Sequence, residues 1–364
     1  MKAPFPYFGG KHRAAPIVWQ ALGDPAGYVE PFAGSAAVLL ARPHHEGRRT
    51  ETINDADGWL VNTWRALQLS PAETAHYAAG PVAEIDYHAR LAWLQERRTP
   101  ELVSWLEGDP ESHDPKAAGW WLYVVACGIG DPFDSGPWRV IDGKFTDTRK
   151  LPHLGDAGRG VNRELPHLGN AGQGVNRELP HLGNAGRGVN RELPHLGNAG
   201  QGVNRELPHL GNAGQGEQEA QLAHYFARLA ARLSRVRITC GGWGRVVKPS
   251  VIRSGTGGDG SRAVFLDPPY STSGDLYAVT EGHETISAQV RDWCLTAPDD
   301  LRVVLCGYDT EHADLERHGW AVVDGKAGGG AGYSTNSANG RRERLWLSPA
   351  CVPLAQPDLF GGAA

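Results

Sequence analysis

Short apolar runs that end in polar or small residues alternate along this chain with stretches of helical periodicity. Residues 28–40, YVEPFAGSAAVLL, read as a strand end, a tight turn and the start of a helix. TETIND (50–55) reads as a second strand ending in Asn54 and Asp55. Behind it Trp59, Leu60, Thr63, Trp64 and Leu67 fall at helical spacing. Residues 85–107 and 117–126 are expected to be mostly helical. Within 217–234, Leu222, Phe226, Leu229 and Leu233 recur along one face of an amphipathic helix. RVRITC (235–240), AVFLDPPY (263–270), LRVVLCGY (301–308), WAVVD (320–324) and RERLWLS (342–348) are short β-rich runs, with a helix expected at 285–297. Strands alternating with helices predict an α/β sheet.

A tandem repeat breaks this alternation. The 14-residue unit LPHLGNAGRGVNRE begins at Leu151, Leu165, Leu179 and Leu193, and a shortened copy begins at Leu207. The copies differ chiefly by Arg or Gln at Arg159, Gln173, Arg187, Gln201 and Gln215, which points to recent duplication. Rich in Gly and Asn and poor in large apolar residues, the unit buries little area. Chain entropy should dominate, and a loosely ordered insert is expected in preference to a solenoid. Duplication of one histidine accounts for His153, His167, His181, His195 and His209 more simply than a metal site does. The Pro-, Gly- and Ala-rich tail, 349–364, is expected to be flexible.

Composition narrows the class. Of the 364 residues 40% are apolar, enough for a sizeable core. No run approaches the ~18 consecutive apolar residues of a membrane span, and MKAPFPYFGGK lacks a signal-peptide core. A cytoplasmic protein is therefore expected, without membrane partners and as a monomer. Cys127, Cys240, Cys294, Cys306 and Cys351 are scattered and odd in number, against both a disulfide framework and a zinc site. The net charge of -5 does not advertise a nucleic-acid binder, but a local basic face is enough to neutralise phosphates. Candidates are Lys11, His12 and Arg13; Arg245 and Lys248; and Arg341, Arg342 and Arg344, though such a cluster is more often a solvated face than a DNA contact.

The sharpest chemical signal is Asp267-Pro268-Pro269-Tyr270 after the apolar run Ala263–Leu266, at a strand's carboxyl end, where open α/β sheets bind ligands. The exocyclic amine of adenine is a poor nucleophile because its lone pair is conjugated with the ring. Two acceptors aimed at its N–H groups can turn that lone pair out of the plane. The Asp267 carboxylate and the Pro268 carbonyl can be those acceptors; proline fixes φ and brings no competing N–H. Tyr270 offers a flat face for an extruded base, stacking worth roughly 1–3 kcal/mol. A plain Asp-Pro turn is the bland alternative. In Tyr28–Ala36, YVEPFAGSA, a strand feeds a small-residue turn through which backbone N–H groups can approach a ligand. Asp55, ending the next strand, can hold ribose hydroxyls or cap the following helix. PFPYFGGK (4–11) sets two glycines and Lys11 beside aromatics, a possible clamp for a charged small molecule.

In order along the chain, PFPYFGGK, EPFAGS, IND and DPPY resemble the Dam-type class of DNA adenine-N6 methyltransferases, especially phage-encoded members, over roughly residues 4–70 and 260–348. The resemblance implies a Rossmann-like, S-adenosylmethionine-dependent methyltransferase sheet, mostly parallel with an antiparallel last hairpin, and an inserted, mostly helical target-recognition domain. The catalytic domain would be 1–70 and 251–348, and the recognition region 71–250, with the repeat insert at 151–216. Tyr7, Lys11, Glu30, Phe32, Gly34 and Asp55 would bind the donor, and Asp267, Pro268, Pro269 and Tyr270 would hold the target base in double-stranded DNA. No metal is expected, because the sulfonium methyl is already activated.

Alternatives stay open. Cytosine-N4 methylation would use the same fold, although such enzymes tend to carry Ser in place of Asp267. Methylation of protein glutamine or RNA more often goes with Asn there. A non-catalytic DNA-binding protein with a decayed methyltransferase fold is a further reading. For a DNA methyltransferase, a restriction–modification pair, phage anti-restriction and action without a nuclease are all open roles. In the tail, Gln356, Leu359 and Phe360 resemble the Q-x-x-L-F peptides that dock bacterial DNA enzymes on the replication sliding clamp; a chance pentapeptide is the alternative.

Overall fold

The computed structural model describes residues 1–5, 7, 10–128, 133, 138–141, 144–147, 217–252, 257–269, 283–324 and 342–354. The repeats at 151–216, Tyr270, and Gln356, Leu359 and Phe360 lie outside the described residues.

Seven strands form one mixed sheet: β1 (Gly27–Glu30), β2 (Thr50–Asp55), β5 (Val236–Cys240), β6 (Arg262–Leu266), β7 (Leu301–Tyr308), β8 (Ala321–Asp324) and β9 (Glu343–Leu347). Their order is β5-β2-β1-β6-β7-β9-β8. The first five are parallel, and β9 runs antiparallel between β7 and β8. The chain steps outward from β1 through β2 to β5, then returns to the other side of β1 to lay down β6 and β7. Strand order thus reverses between β1 and β6, the place where α/β sheets open a crevice at the strands' carboxyl ends. This arrangement is compatible with a Rossmann-like fold. A separate hairpin pairs β3 (Trp138–Ile141) with β4 (Lys144–Asp147).

Side-chain alternation explains why both sheet faces are covered. Along β6, Ala263 and Phe265 join one core, whereas Val264 and Leu266 join the other. In β7 the split is Val304, Cys306 and Tyr308 against Leu301, Val303 and Leu305; in β9 it is Leu345 and Leu347 against Trp346. A strand apolar on both faces is stable only between two layers. One layer contains α1 (Ala15–Leu22), α2 (Ala37–Leu40), α3 (Gly58–Leu69), α4 (Pro71–Ala78), α5 (Glu84–Glu96), α6 (Pro100–Gly108), α7 (Pro115–Cys127) and α8 (Glu217–Leu233). The other contains α9 (Pro249–Ile252), α10 (His283–Thr296) and a 3-10 turn at Ala313–His318.

Local chemistry starts these helices where they start. Asp57 caps α3 by accepting from Trp59 N at 2.8 Å, and Asp114 caps α7 by accepting from Ala117 N at 2.9 Å, with Pro115 in the first turn. The helix expected at 217–234 is α8: Leu222, Phe226, Leu229 and Leu233 are buried on its inner face. The helix over Ala15–Leu22 was not among the expected elements, although six of its residues are buried.

One strand of the main sheet comes from within residues 71–250. β5 falls within the region assigned to recognition, yet it pairs with β2 from Glu51↔Val236 to Asp55↔Cys240. Val236, Ile238 and Cys240 all point into the core beside α3 and α6, and that apolar face draws the strand into the main sheet. Tyr87, Leu91, Leu94, Leu106 and Trp121 of the 71–127 helices belong to the same core as Phe5, Ile53 and Trp64. The helical segment is therefore packed continuously with the sheet. A buried charge group fastens α8 to β2: Glu51 accepts from Arg42 Nη1 at 3.0 Å and from Arg232 Nη1 at 2.6 Å.

Candidate active site

The pocket at the strand-order reversal is built first from backbone. After β1 the chain turns through Pro31–Ala36, with Gly34 and Ala36 both at φ 47°. Gly34 N donates to Asp55 Oδ2 at 2.9 Å, and Gly34 O accepts from Trp64 Nε1 at 2.9 Å. Ala33 N donates to Asn54 O at 2.9 Å. Asn54 Nδ2 donates to Pro31 O at 3.1 Å and to Gly241 O at 2.8 Å, tying the ends of three strands together. A Cβ at Gly34 would sit 2.5 Å from Tyr7 Cε1. Glycine suits that position twice over: its positive φ favours glycine, and the tyrosine ring lying against it leaves no room for a Cβ. The N-terminal segment docks on the same turn, and within it Gly10 N donates to Tyr7 O at 3.2 Å.

Acids gather around this turn. Glu30, 2% exposed, accepts from Tyr28 Oη at 3.0 Å and from Leu39 N at 3.2 Å. Burial pushes its carboxyl up to about 8, against the pull of those two hydrogen bonds. Burial likewise raises Asp55 to about 6, although Gly34 N and Asp57 N both donate to it. Asp55 does not cap α3; Asp57 does. The helix-cap alternative for Asp55 is thereby removed, and its carboxylate instead braces the glycine turn.

From the other side come the residues after β6. Lys11, only 7% exposed, places Nζ 2.9 Å from Asp267 Oδ2 and 3.4 Å from Glu343 Oε1. Beneath this group, burial pushes the Cys306 thiol well above its ordinary value. Tyr7, Lys11, Glu30, Phe32, Gly34, Asp55, Asp267 and Pro269 all line one pocket, joined by Ser35, Asp57, Phe265 and Ile286. Pro268 stands next to Asp267 but is outside that lining, and Tyr270 lies outside the described residues. Phe32 stacks on Trp243, with ring centres 6.0 Å apart and planes 30° apart.

Sequence reasoning missed Glu343, Asp57, Asn54 and Trp243. Glu343 stood inside RERLWLS, read only as a strand, and nothing local connects it to Lys11. Asn54 was visible as the partner of Asp55 in IND. The basic clusters are partly engaged within the protein. Lys11 is in the buried ion pair, Arg245 pairs with Glu107, and Arg342 pairs with Asp309 at 3.2 Å while lying over the Tyr308 ring. Among the described residues no group of three or more His, Cys, Asp or Glu is arranged to hold a metal, and no helix is long and apolar enough to cross a membrane.

No family model and no curated protein matches this chain.

Proposed function

We propose that the chain transfers a methyl group from S-adenosylmethionine to the N6 amine of adenine in DNA, with the base flipped out of the duplex. The observation that carries the reading is that a single pocket, at the strand-order reversal, is lined from one side by the EPFAGS turn and Asp55 and from the other by Asp267 and Pro269. Sheet order supports it too: the sheet is mostly parallel with an antiparallel last hairpin, as the resemblance implied.

The pocket's chemistry fits a cationic donor. Lys11 faces Asp267 and Glu343, and Asp55 and Asp57 line the wall next to the glycine turn. With Glu30 neutral near pH 7 and Lys11 neutralised by its two partners, the Asp55 and Asp57 carboxylates on the donor wall favour a sulfonium. In this reading Asp55 and Asp57 accept from ribose hydroxyls. Gly34 and Ser35 let the backbone approach, and Tyr7 and Phe32 supply apolar walls. The bound donor supplies an activated methyl group, and the remaining task is to align it with the amine, a positioning effect that can contribute about 7–11 kcal/mol. Asp267 and the Pro268 carbonyl accept the two N–H groups, freeing the nitrogen lone pair, and Asp267 stabilises the positive charge that grows on nitrogen. As the N–CH3 bond formed and the S–CH3 bond broke, the donor would leave as the neutral thioether, and the methylated amine would pass one N–H proton by way of Asp267 to solvent. Recognition of duplex DNA would fall to the 71–250 region, as the resemblance implies.

Incubating the protein with unmethylated DNA and labelled S-adenosylmethionine, then digesting the DNA and identifying the labelled nucleoside, tests this. N6-methyladenine is expected. N4-methylcytosine would keep the chemistry and overturn the target base. Bound donor with no label in DNA would turn the search to RNA or protein, and a protein that binds no donor would restore the reading of a decayed, non-catalytic fold.

A further inference from the structure

The proposed chemistry creates a conflict inside the pocket. Asp267 must offer an oxygen to the incoming amine, yet Oδ2 already accepts from the Lys11 ammonium at 2.9 Å. Lys11 is almost fully buried, so an ammonium leaving Asp267 needs another anion within reach; a buried cation stripped of its partner is costly. Glu343 provides one. Its Oε1 is 3.4 Å from the same Nζ, and it enters from the reversed strand β9, which lies against the far side of β7 from β6 and its Asp267. The ammonium therefore sits between two carboxylates carried by different strands.

We propose that Glu343 is a positioning residue that gives the Lys11 ammonium a second seat, so that the cation can withdraw from Asp267 Oδ2 when the target amine requires that oxygen. This rests on the adenine-methylation reading for its purpose, though not for the pairing itself. The shift is a matter of side-chain torsion: Nζ already touches both seats, so a small movement toward Oε1 exchanges one dominant partner for the other. Lys11 stays charged and paired throughout. Glu343 needs no contact with substrate. Among the described residues, the charged and titratable groups near the ammonium include Asp267 after β6, Glu343 on β9, Glu30 at the end of β1 and the Cys306 thiol in β7, which is neutral in the pH range of interest.

The test compares wild-type protein with Glu343→Gln and Glu343→Asp. Glutamine leaves Lys11 seated on Asp267. Single-turnover methyl transfer is expected to fall about ten- to a hundredfold, the rate equivalent of one charge-assisted hydrogen bond. Donor affinity should stay within about twofold, and aspartate should recover part of the rate. An unchanged rate, or donor affinity lost in parallel with rate, would overturn the proposal. The side-chain ¹⁵N resonance of Lys11 in donor-free protein provides a readout independent of activity. It is expected to shift in Glu343→Gln as well as in Asp267→Asn; a resonance indifferent to Glu343→Gln would remove the second seat. If wild-type protein methylates no DNA, the functional reading has failed and this resonance alone decides whether Lys11 is shared.

Discussion

The turn after β1 and the segment after β6 face each other across the pocket and are held by different forces. On the β1 side, backbone groups do the holding. Gly34 is fixed at both its N–H and its carbonyl, by Asp55 and Trp64, and Asn54 laces the neighbouring strand ends together. On the β6 side, proline stiffness and one buried ammonium act on Asp267. The first wall is a preformed cradle, suited to a ligand that must be held the same way every time. The second is set by charge, and charge can be redistributed when a second reactant arrives. In the proposed reaction these correspond to the donor and to the base.

The comparison can be broken at several points. The largest effect is expected from Asp267→Ala, which should lower methyl transfer by about a hundred- to a thousandfold, the scale of losing one preorganised electrostatic contact. Donor affinity, by calorimetry, should barely change. Equal loss of both would mean that Asp267 belongs to the donor wall. Gly34→Ala should do the opposite, weakening donor binding first, because the new methyl group meets the Tyr7 ring and φ is positive. A stability loss of about 1–3 kcal/mol in denaturant titration should accompany it.

Glu30 sharpens the contrast through pH. Its carboxyl sits at about 8 in the fold against an ordinary 4.5, so the folded state holds the proton more tightly than the unfolded chain. The associated stability is fully present below 4.5 and drains away as pH rises through about 8. Melting curves of Glu30→Gln across that window should therefore fall less steeply with pH than those of the wild type; parallel curves would show that Glu30 is not held neutral. The smallest effect is expected from Asp57→Ala, which removes the cap of α3 and should cost about 0.5–2 kcal/mol in thermal unfolding.

Much of the cradle was legible in the sequence, because its parts are local. EPFAGS carries the turn residues beside one another, and an acid ending the next strand is a short-range signal. DPPY was legible because an apolar run delivers it to a strand end. The second wall was legible only in part. Lys11 and Glu343 come from opposite ends of the chain and meet because β9 inserts itself, reversed, between β7 and β8. Nothing in the periodicity of RERLWLS announces that insertion. The same limit hid β5: its apolar alternation was plain, but its neighbour β2 lies before the helices and the repeats. Ala15–Leu22 escaped because six of its eight residues are buried, leaving no polar face to mark a period. The cap of α3 went to Asp57, two residues beyond Asp55, and only the hydrogen bond to Trp59 N identifies it.

The pairing of β5 with β2 also sets a schedule for synthesis. About 180 residues separate the two strands, so at roughly 5–20 residues per second the ribosome needs on the order of 10–40 s to deliver β5 after finishing β2. Throughout that interval the nascent chain carries an unfinished sheet. One edge of β2 has no partner strand, and Glu51 has Arg42 but not yet Arg232. Each added 14-residue copy between them lengthens the wait by about 1–3 s. The number of repeats is in this sense a delay line written into the gene, and its natural limit is the time the half-made sheet can be kept from pairing with another chain.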